Sequence, residues 1–265
     1  MRNNVIDLYN RIDKGIEGIT YLNFGYWKNA RTVQTACEAM IDLVIDQAEI
    51  FNGCNILDVG FGYGTQDLYI HQRFPLSNIV GINIVQKQID YAIQKAKEKG
   101  LDDKIEYLNI DATELSFDAN SFDRIIAVEA AFQFNTRAVF LKQAYDTLKE
   151  NGVICLTDTT QKLHELQQYH NLDKTLASLG CPKENIMDEK MYYDTLKEVG
   201  FRSITFTDIS EHVIPYIATL IYGQKNWRST SDVILPEEST VLNDYIAMFK
   251  ENVLYHKYYI IKAFK

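Results

Sequence analysis

The chain has 265 residues, of which 46% are hydrophobic and 24% are charged, and its formal net charge is −9. This length and composition are typical of one large α/β domain of a globular protein. The negative charge, without any cluster of lysine and arginine, argues against a nucleic-acid partner.

The four cysteines are scattered along the chain and form no C-x-x-C pair. This spacing is typical of reduced thiols in a cytoplasmic protein and unlike a disulfide framework or a zinc site. The N-terminal sequence has no apolar signal-peptide core, and no run reaches the roughly 18 apolar residues of a membrane span. We therefore expect a cytoplasmic protein with no metal and no membrane partner, and a homodimer is compatible with the sequence.

Residues 1–50 precede the first predicted strand and have a helical pattern, which predicts an N-terminal helical flap. Over residues 51–160, short apolar runs alternate with helical periodicity, as expected of a cofactor-binding core. Seven strands are predicted, at 55–60, 78–84, 105–111, 122–130, 153–158, 202–210 and 255–264. Strands separated by helices predict an α/β fold with a doubly wound, mostly parallel sheet. Residues 161–265 would complete this sheet and supply substrate lid segments at about 161–188 and 212–250, all within a single domain.

The first strand enters a glycine loop, NILDVGFGYGTQD (55–67), with glycines at alternate positions, Gly60, Gly62 and Gly64. A dinucleotide loop needs G-x-G-x-x-G, and Thr65 or Asp67 stands where its third glycine would fall. A phosphate-binding P-loop needs a lysine at its end, and none follows. The remaining pattern, D-x-G-x-G-x-G with Asp58, suits S-adenosylmethionine, which has no phosphate, needs close backbone approach and needs an acceptor for its amino group. A tight turn capped by Asp58 is the purely structural alternative.

Four further segments occur in a fixed order around the glycine loop, and the same order is found in a known family. They are YLNFGYW (21–27), GINIVQKQ (81–88), NIDATEL (109–115) and SFDRIIAVEA (121–130). Together they resemble class I S-adenosylmethionine-dependent methyltransferases. More narrowly, they are similar to the small-molecule branch that holds tocopherol, sarcosine/dimethylglycine and rebeccamycin-sugar methyltransferases. The resemblance extends from about residue 21 to 158 and more weakly to the C-terminus. It implies a Rossmann-like sheet, S-adenosyl-L-methionine as cofactor, and methylation of a small-molecule acceptor of specialised metabolism.

The resemblance places the ribose of the cofactor at the second strand. Asn83 stands where most class I members have an acidic residue that binds both ribose hydroxyls, and Gln88 matches a glutamine that helps to hold them. An amide can bond a hydroxyl, although without the strength of a charged acceptor. A strand-end turn is the alternative role for Asn83.

The resemblance also assigns residues around the adenine and the sulfonium. Asp111 and Ala112 fall where the family reads adenine, and Ile84 and Leu115 are in position to sandwich the ring, with core packing as the alternative. Glu129 ends the fourth strand at the carboxyl edge of the sheet, where ligands of open α/β sheets bind. It would lie near the cationic sulfur, with capping of the following loop as the alternative.

The catalytic residues depart from the family pattern. In the sugar O-methyltransferases a histidine follows the fourth strand and an aspartate ends the fifth. Asp158 matches that aspartate, but EAAFQFN (129–135) places Phe132 and Gln133 where a histidine pair often stands. The candidate catalytic residues are therefore Asp158 and Gln133.

Three chemical interpretations remain open. Asp158 could be the sole base for a hydroxyl acceptor, or an unprotonated amine could need no base. Alternatively, a carbon acceptor could be methylated in an aromatic pocket formed by Phe132, Phe134 and Tyr21. The aromatic segment YLNFGYW is predicted to close over cofactor and acceptor, with Tyr26 or Trp27 as cover, or else to anchor the N-terminal helix.

Two other functions are weighed against methyl transfer. A catalytically idle S-adenosylmethionine-binding partner or scaffold is compatible with the missing histidine and the missing acidic ribose residue. A nicotinamide oxidoreductase is disfavoured by Thr65 in the glycine loop.

Overall fold

A computed structural model describes residues 2–11, 20–214 and 256–265. In these residues one seven-stranded sheet has the strand order β3-β2-β1-β4-β5-β7-β6. Its strands are β1 (Asn55–Val59), β2 (Asn78–Asn83), β3 (Ile105–Asn109), β4 (Phe122–Val128), β5 (Leu148–Thr160), β6 (Arg202–Asp208) and β7 (Lys257–Phe264). Strands β1 to β5 pair in parallel, whereas β7 runs antiparallel to β5 and β6. This confirms the predicted mostly parallel α/β sheet.

Helices cover both faces of the sheet. They are α1 (Arg2–Arg11), α2 (Val33–Ala48), α3 (Thr65–Arg73), α4 (Gln86–Glu98), α5 (Arg137–Thr147), α6 (Leu163–Leu166), α7 (Leu172–Ser178) and α8 (Glu189–Val199). Helices α2, α3 and α4 bury apolar side chains in one core cluster, and α5 and α8 bury theirs in a second. Strands such as β1 are buried along nearly their whole length because both faces are covered. Of the helices described, none has the length and apolar character needed to cross a membrane.

The predicted N-terminal flap divides into parts with different environments. Helix α2 begins at a Thr32–Thr35 capping box and buries seven side chains against the sheet. It contacts β4, β5 and β7, so its packing places it with the core of the domain. Helix α1 lies elsewhere, at the carboxyl edge, where it packs against α7.

The predicted lid segments are only partly described. Residues 161–188 form α6, α7 and a 3-10 turn at Lys183–Asn185. This segment supports α1, because Asn4 Nδ2 donates to the Ala177 carbonyl at 3.3 Å and Val5 packs directly on Gly180. Of the second predicted lid, residues 215–250 lie outside the described part of the chain.

Candidate functional site

A cavity opens at the carboxyl edge of the sheet, beneath α1. We call it the main cavity. Its walls come from the glycine loop, the residues that follow β2, β3 and β4, and one face of α1. The α1 residues in this wall are Arg2, Val5 and Tyr9. The position agrees with the rule that open α/β sheets bind ligands outside the carboxyl ends of their strands.

The glycine loop needs glycine at all three positions for conformation, since each has a positive φ, of +85° at Gly60, +61° at Gly62 and +73° at Gly64. Gly60 and Gly62 line the main cavity. A Cβ on Gly60 would lie 2.5 Å from the Ala130 Cβ. Gly64 instead packs under Tyr107, whose hydroxyl would lie 2.5 Å from an added Cβ. The loop therefore exposes bare backbone to the cavity at two of its glycines.

Asn83 and Gln88 line the main cavity where the ribose of a cofactor is predicted to lie, and they differ in which hydrogen-bonding atoms are still unpaired. The Asn83 Oδ1 accepts from the Ile84 and Val85 N–H groups at 2.7 and 3.2 Å. Its Nδ2 donates to Gln88 Oε1 at 2.8 Å and to the Gly62 carbonyl at 3.3 Å. The buried Gln88 Nε2 has no hydrogen-bond partner among the described residues. Asn83 thus holds the strand-end turn, and the unused donor belongs to Gln88.

At the predicted adenine end, Asp111, Ala112 and Ile84 line the main cavity. Asp111 Oδ1 accepts from the Thr113 N–H at 2.9 Å and from its hydroxyl at 2.7 Å, and Oδ2 lies 3.9 Å from Arg2 Nε. Leu115 does not line this cavity and packs in the second core cluster, so core packing is its role. Ile110 occupies the wall instead.

Glu129 brings a carboxyl group to the main cavity from the end of β4. Its backbone has φ +53°, an unusual conformation for a residue with a side chain. Oε1 accepts from the Phe24 N–H at 2.8 Å. Burial raises the pKa of Glu129 to about 8, and the Tyr258 hydroxyl and the Phe24 N–H only partly oppose this shift. A neighbouring positive charge would favour its ionised form.

Asp158 does not line the main cavity, and its carboxylate is bonded to protein groups, so a role as base stays a prediction that this geometry does not favour. Its Oδ1 and Oδ2 accept from Arg137 Nη2 and Nε at 2.7 and 2.8 Å. The Tyr192 hydroxyl and the Thr159 N–H donate to the same carboxylate at 3.0 and 2.8 Å. The side chains of Arg137 and Asp158 are both 0% exposed. Four hydrogen bonds thus hold the buried carboxylate in place.

Gln133, the second candidate catalytic residue, lines the main cavity from the 3-10 turn Ala131–Gln133. Its Oε1 accepts from the Tyr9 hydroxyl at 3.0 Å, and its Nε2 donates to the Leu179 carbonyl at 2.8 Å. Gln133 therefore connects α1 to the chain just after α7. This connection positions the wall of the site.

The aromatic residues predicted for the acceptor pocket separate in the structure. Phe134 lines the main cavity and makes an edge contact with Phe140, at 4.8 Å between ring centroids. Phe132 packs against the first core cluster and does not line the cavity. Tyr21 is buried beside the glycine loop, away from the main cavity. Of the three aromatic residues predicted for the acceptor pocket, only Phe134 is among the lining residues of the main cavity.

The predicted cover residues also lie elsewhere. Tyr26 packs edge-on against His212, at 5.1 Å between centroids, and Trp27 Nε1 donates to the Phe24 carbonyl at 2.8 Å. Neither lines the main cavity, whereas Leu22 of the same segment does. Helix α1, which lies within the predicted N-terminal flap of residues 1–50, contributes Arg2, Val5 and Tyr9 to the cavity wall instead. The i, i+4 spacing of Val5 and Tyr9 beside a polar face was the available signal.

Asp58 lies beneath the glycine loop and does not line the main cavity. Its Oδ2 accepts from Gln66 Nε2 at 2.5 Å, and burial raises its pKa to about 6. Asp67 is also fully buried, and burial together with Asp58 raises its pKa well above the usual range. The contact of Asp58 with a ligand amino group therefore stays a prediction, and the side chain is not among the lining residues of the main cavity.

In the part of the chain that the structure describes, no three His, Cys, Asp or Glu side chains are grouped in a way that could hold a metal ion.

Comparisons with known proteins agree with this geometry. Residues 57–156 match a family model described as a methyltransferase domain. Erythromycin 3''-O-methyltransferase of Saccharopolyspora erythraea is 29% identical over 202 residues, which cover 73% of this chain and 66% of that protein. Sterol 24-C-methyltransferase of Kluyveromyces lactis is 32% identical over 184 residues, covering 67% of this chain and 49% of that protein. The chain thus spans from about half to just under two thirds of the length of these relatives.

A solved structure shares the fold over nearly the whole chain. Geranyl diphosphate C-methyltransferase from Streptomyces coelicolor A3(2), in complex with Mg²⁺, geranyl diphosphate and S-adenosyl-L-homocysteine, has a TM-score of 0.78 at 15% identity. The similarity covers 99% of this chain and 97% of that one. The likeness supports the seven-stranded Rossmann-like architecture.

Proposed function

The chain belongs to the class I S-adenosylmethionine-dependent methyltransferases, and from this premise we propose that it methylates a small-molecule acceptor of specialised metabolism. The observation that carries the proposal is the main cavity itself. The unused Gln88 donor lies among its lining residues, as do the bare backbone of Gly60 and Gly62 and the Glu129 carboxyl.

The residues present fit S-adenosylmethionine. The Gln88 Nε2 is a buried donor whose partner would be a ribose hydroxyl, since an unpaired buried amide is costly without one. Asp111, Ala112 and Ile84 would hold the adenine, and the glycine backbone would contact the chain that leads to the sulfur. When bound, the cofactor supplies an electrophilic methyl group on a positively charged sulfur.

The chain's own residues would align the acceptor and exclude water. Val5, Leu22 and Phe134 give this part of the cavity an apolar wall, and the bond between Tyr9 and Gln133 fixes α1 across it. Alignment of acceptor and methyl group is the main demand of an in-line displacement. Among the described lining residues, Glu129 and Asp111 carry carboxyl groups, and the Asp111 carboxylate is bonded to Thr113. The raised pKa of Glu129 suits a group that accepts a proton near neutral pH.

Oxygen, nitrogen and carbon acceptors are all represented by relatives. Erythromycin 3''-O-methyltransferase, a probable (S)-tetrahydroprotoberberine N-methyltransferase of Papaver bracteatum and several sterol 24-C-methyltransferases share detectable sequence similarity with this chain. We assign Glu129 as proton acceptor for a hydroxyl or protonated amine. For a carbon acceptor its negative form would stabilise developing positive charge. These relatives support turnover rather than an idle scaffold.

Calorimetry with S-adenosyl-L-homocysteine tests cofactor binding, and mass spectrometry of a panel of hydroxyl, amine and alkene acceptors tests transfer. Binding together with a mass gain of one methyl group supports the proposal. Absence of binding at saturating ligand contradicts the proposed cofactor. Binding without methylation of any acceptor class would favour the scaffold function. The predicted homodimer is measured separately by light scattering.

A further inference from the structure

Two strands beside β4 bring hydroxyl groups to Glu129. The Glu129 N–H donates to the Thr157 carbonyl at 3.1 Å and to the Thr157 hydroxyl at 3.0 Å. Strand β7 lies next to β5, and its residue Tyr258 is paired with Thr159. Because side chains alternate along a strand, Thr157, Thr159 and Tyr258 lie on the same face of the sheet. Of Glu129, Thr157 and Tyr258, only Glu129 is among the described residues that line the main cavity.

Tyr258 is held firmly in this position. Its N–H donates to Ser210 Oγ at 2.8 Å, and its carbonyl accepts from the Ile209 N–H at 2.9 Å. Its ring packs in the first core cluster, and the residue is 1% exposed. The hydroxyl is buried and makes no hydrogen bond of full geometry to any described group. A buried donor is costly without a partner, so the hydroxyl requires an acceptor nearby.

The acceptor within reach is the carboxyl group of Glu129. Glu129 and Thr157 both lie close enough to the Tyr258 hydroxyl to shift its pKa. Burial first, and the charge of Glu129 second, raise this pKa well above its usual range, so the phenol keeps its proton. The hydroxyl in turn lowers the pKa of Glu129, although burial dominates and leaves that pKa at about 8. A hydrogen bond from a phenol strengthens when the carboxyl group that accepts it becomes charged.

Other titratable groups face Glu129 from three elements. Burial first, and the charge of Glu129 second, raise the pKa of Tyr9 on α1 and the pKa of Cys37 on α2 to about 12. Both groups therefore stay neutral near pH 8. Asp158 of β5 contributes a negative charge, which raises the pKa of Glu129 further. The Tyr258 hydroxyl thus acts against both burial and like charge at this position.

We propose that Tyr258 is a positioning residue whose hydroxyl donates to the ionised Glu129 carboxylate from outside the cavity wall. The inference rests on the proposed function, in which Glu129 accepts a proton. It adds the residue that orients this carboxylate and sets the pH at which the group becomes free to accept. The Phe24 N–H already binds Oε1, so a second donor fixes the plane of the carboxylate. A neutral donor suits this role, because a cation in its place would keep Glu129 ionised far below neutral pH.

NMR of the full chain with ¹³C-labelled glutamate measures the titration of Glu129 without cofactor or acceptor. The Glu129→Gln variant assigns the signal. In the wild type the carboxyl group should titrate near pH 8. In Tyr258→Phe the charged form loses one hydrogen bond, so the midpoint should rise by about one pH unit or more.

Tyr259→Phe is the matched control. Tyr259 is the next residue of β7 and therefore lies on the opposite face of the sheet, where its hydroxyl donates to Glu189. Its loss should leave the midpoint of Glu129 unchanged.

A second replacement keeps the proposal testable if Tyr258→Phe unfolds the protein. 3-Fluorotyrosine at position 258 keeps nearly the shape of tyrosine, but its hydroxyl is more acidic and donates a stronger hydrogen bond. It should lower the midpoint of Glu129, because a stronger bond favours the charged form. A purely structural role for Tyr258 would not produce shifts of opposite sign in the two replacements.

The outcomes separate this hydrogen bond from the proposed function. Equal midpoints in the wild type and Tyr258→Phe, or equal shifts in Tyr258→Phe and Tyr259→Phe, would overturn the inference. Binding of S-adenosyl-L-homocysteine, measured by calorimetry on the same proteins, would then leave the methyltransferase proposal standing. A shift confined to the Tyr258 replacements would support the hydrogen bond, and absence of S-adenosyl-L-homocysteine binding beside it would overturn only the proposed function.

Discussion

Arg137 and Asp158 form a two-bond ion pair with both side chains fully buried, between the start of α5 and the carboxyl end of β5. Removing one partner of such a pair leaves an uncompensated buried charge, which typically costs about 3–5 kcal/mol. The pair therefore stabilises the fold beside the site.

The Asp158→Asn substitution tests this role. We expect a loss of unfolding free energy of about 3–5 kcal/mol in urea denaturation, with the pH profile of the folded enzyme unchanged. Asp146→Asn is the matched control, because Asp146 pairs with Lys142 on an exposed helix face and should cost less than about 1 kcal/mol. If the Asp158→Asn variant kept its stability but lost one arm of the pH–rate profile, Asp158 would instead act as a base.

Gln88→Met tests the ribose contact. The substitution removes the unused Nε2 donor from the cavity wall, so S-adenosyl-L-homocysteine should bind about ten times more weakly. Gln94→Met, on the same helix, changes an exposed glutamine bonded to Glu98 and should leave affinity unchanged. Calorimetry on both variants decides, and equal affinities would contradict the contact.

Glu129→Gln should flatten the pH dependence of stability. The pKa of Glu129 is about 8 in the folded chain and about 4.5 when unfolded, so the folded state holds a proton that the unfolded state loses between these values. Its contribution to the unfolding free energy is fully present below pH 4.5 and is lost as the pH rises to about 8. The glutamine variant lacks this loss.

Urea denaturation of both proteins from pH 5 to pH 9 provides the measurement. The wild type should lose stability relative to Glu129→Gln across this window, and parallel curves would show that Glu129 has no raised pKa. Asp58 and Asp67 also have raised pKa values, but they are common to both proteins and cancel in the comparison.

Gly180→Ala tests whether the seating of α1 controls the cavity. Gly180 has φ +66°, and an added Cβ would lie 2.5 Å from Val5 Cγ2, so the Val5 side chain must move and its packing under α1 is disturbed. Gly100→Ala is a matched control with φ +65° and no atom within 4 Å of the added Cβ. Both should lose about 1 kcal/mol from the left-handed backbone.

Only Gly180→Ala should also weaken cofactor binding and increase hydrogen exchange in α1. Equal cofactor affinity in the two variants would show that α1 does not close the site.

Much of the fold was predictable from the sequence because its signals are local. Apolar runs such as NILDV and FDRIIAV predict strands that are buried on both faces. The spacing of the residues after Gly60 excludes a dinucleotide loop and a P-loop. The roles of Asp158 and of Tyr26 were not predictable, since they depend on partners distant in sequence. Arg137 lies 21 residues from Asp158, and His212 packs on Tyr26 from far along the chain. Motif position indicates which strand end a residue occupies but not which way its side chain turns.

Asn185 lies outside the main cavity, yet it bonds the chain on both sides of Gln133 and the start of α5, next to the wall residues Gln133 and Phe134. Its Nδ2 donates to the Phe132 and Phe134 carbonyls at 3.0 and 2.7 Å, and its Oδ1 accepts from the Arg137 N–H at 2.8 Å. The contour of the acceptor side is thereby set from a turn that no ligand would touch. Among descendants of one ancestral enzyme, acceptor preference can therefore diverge through changes at this turn while every residue of the cavity surface stays the same.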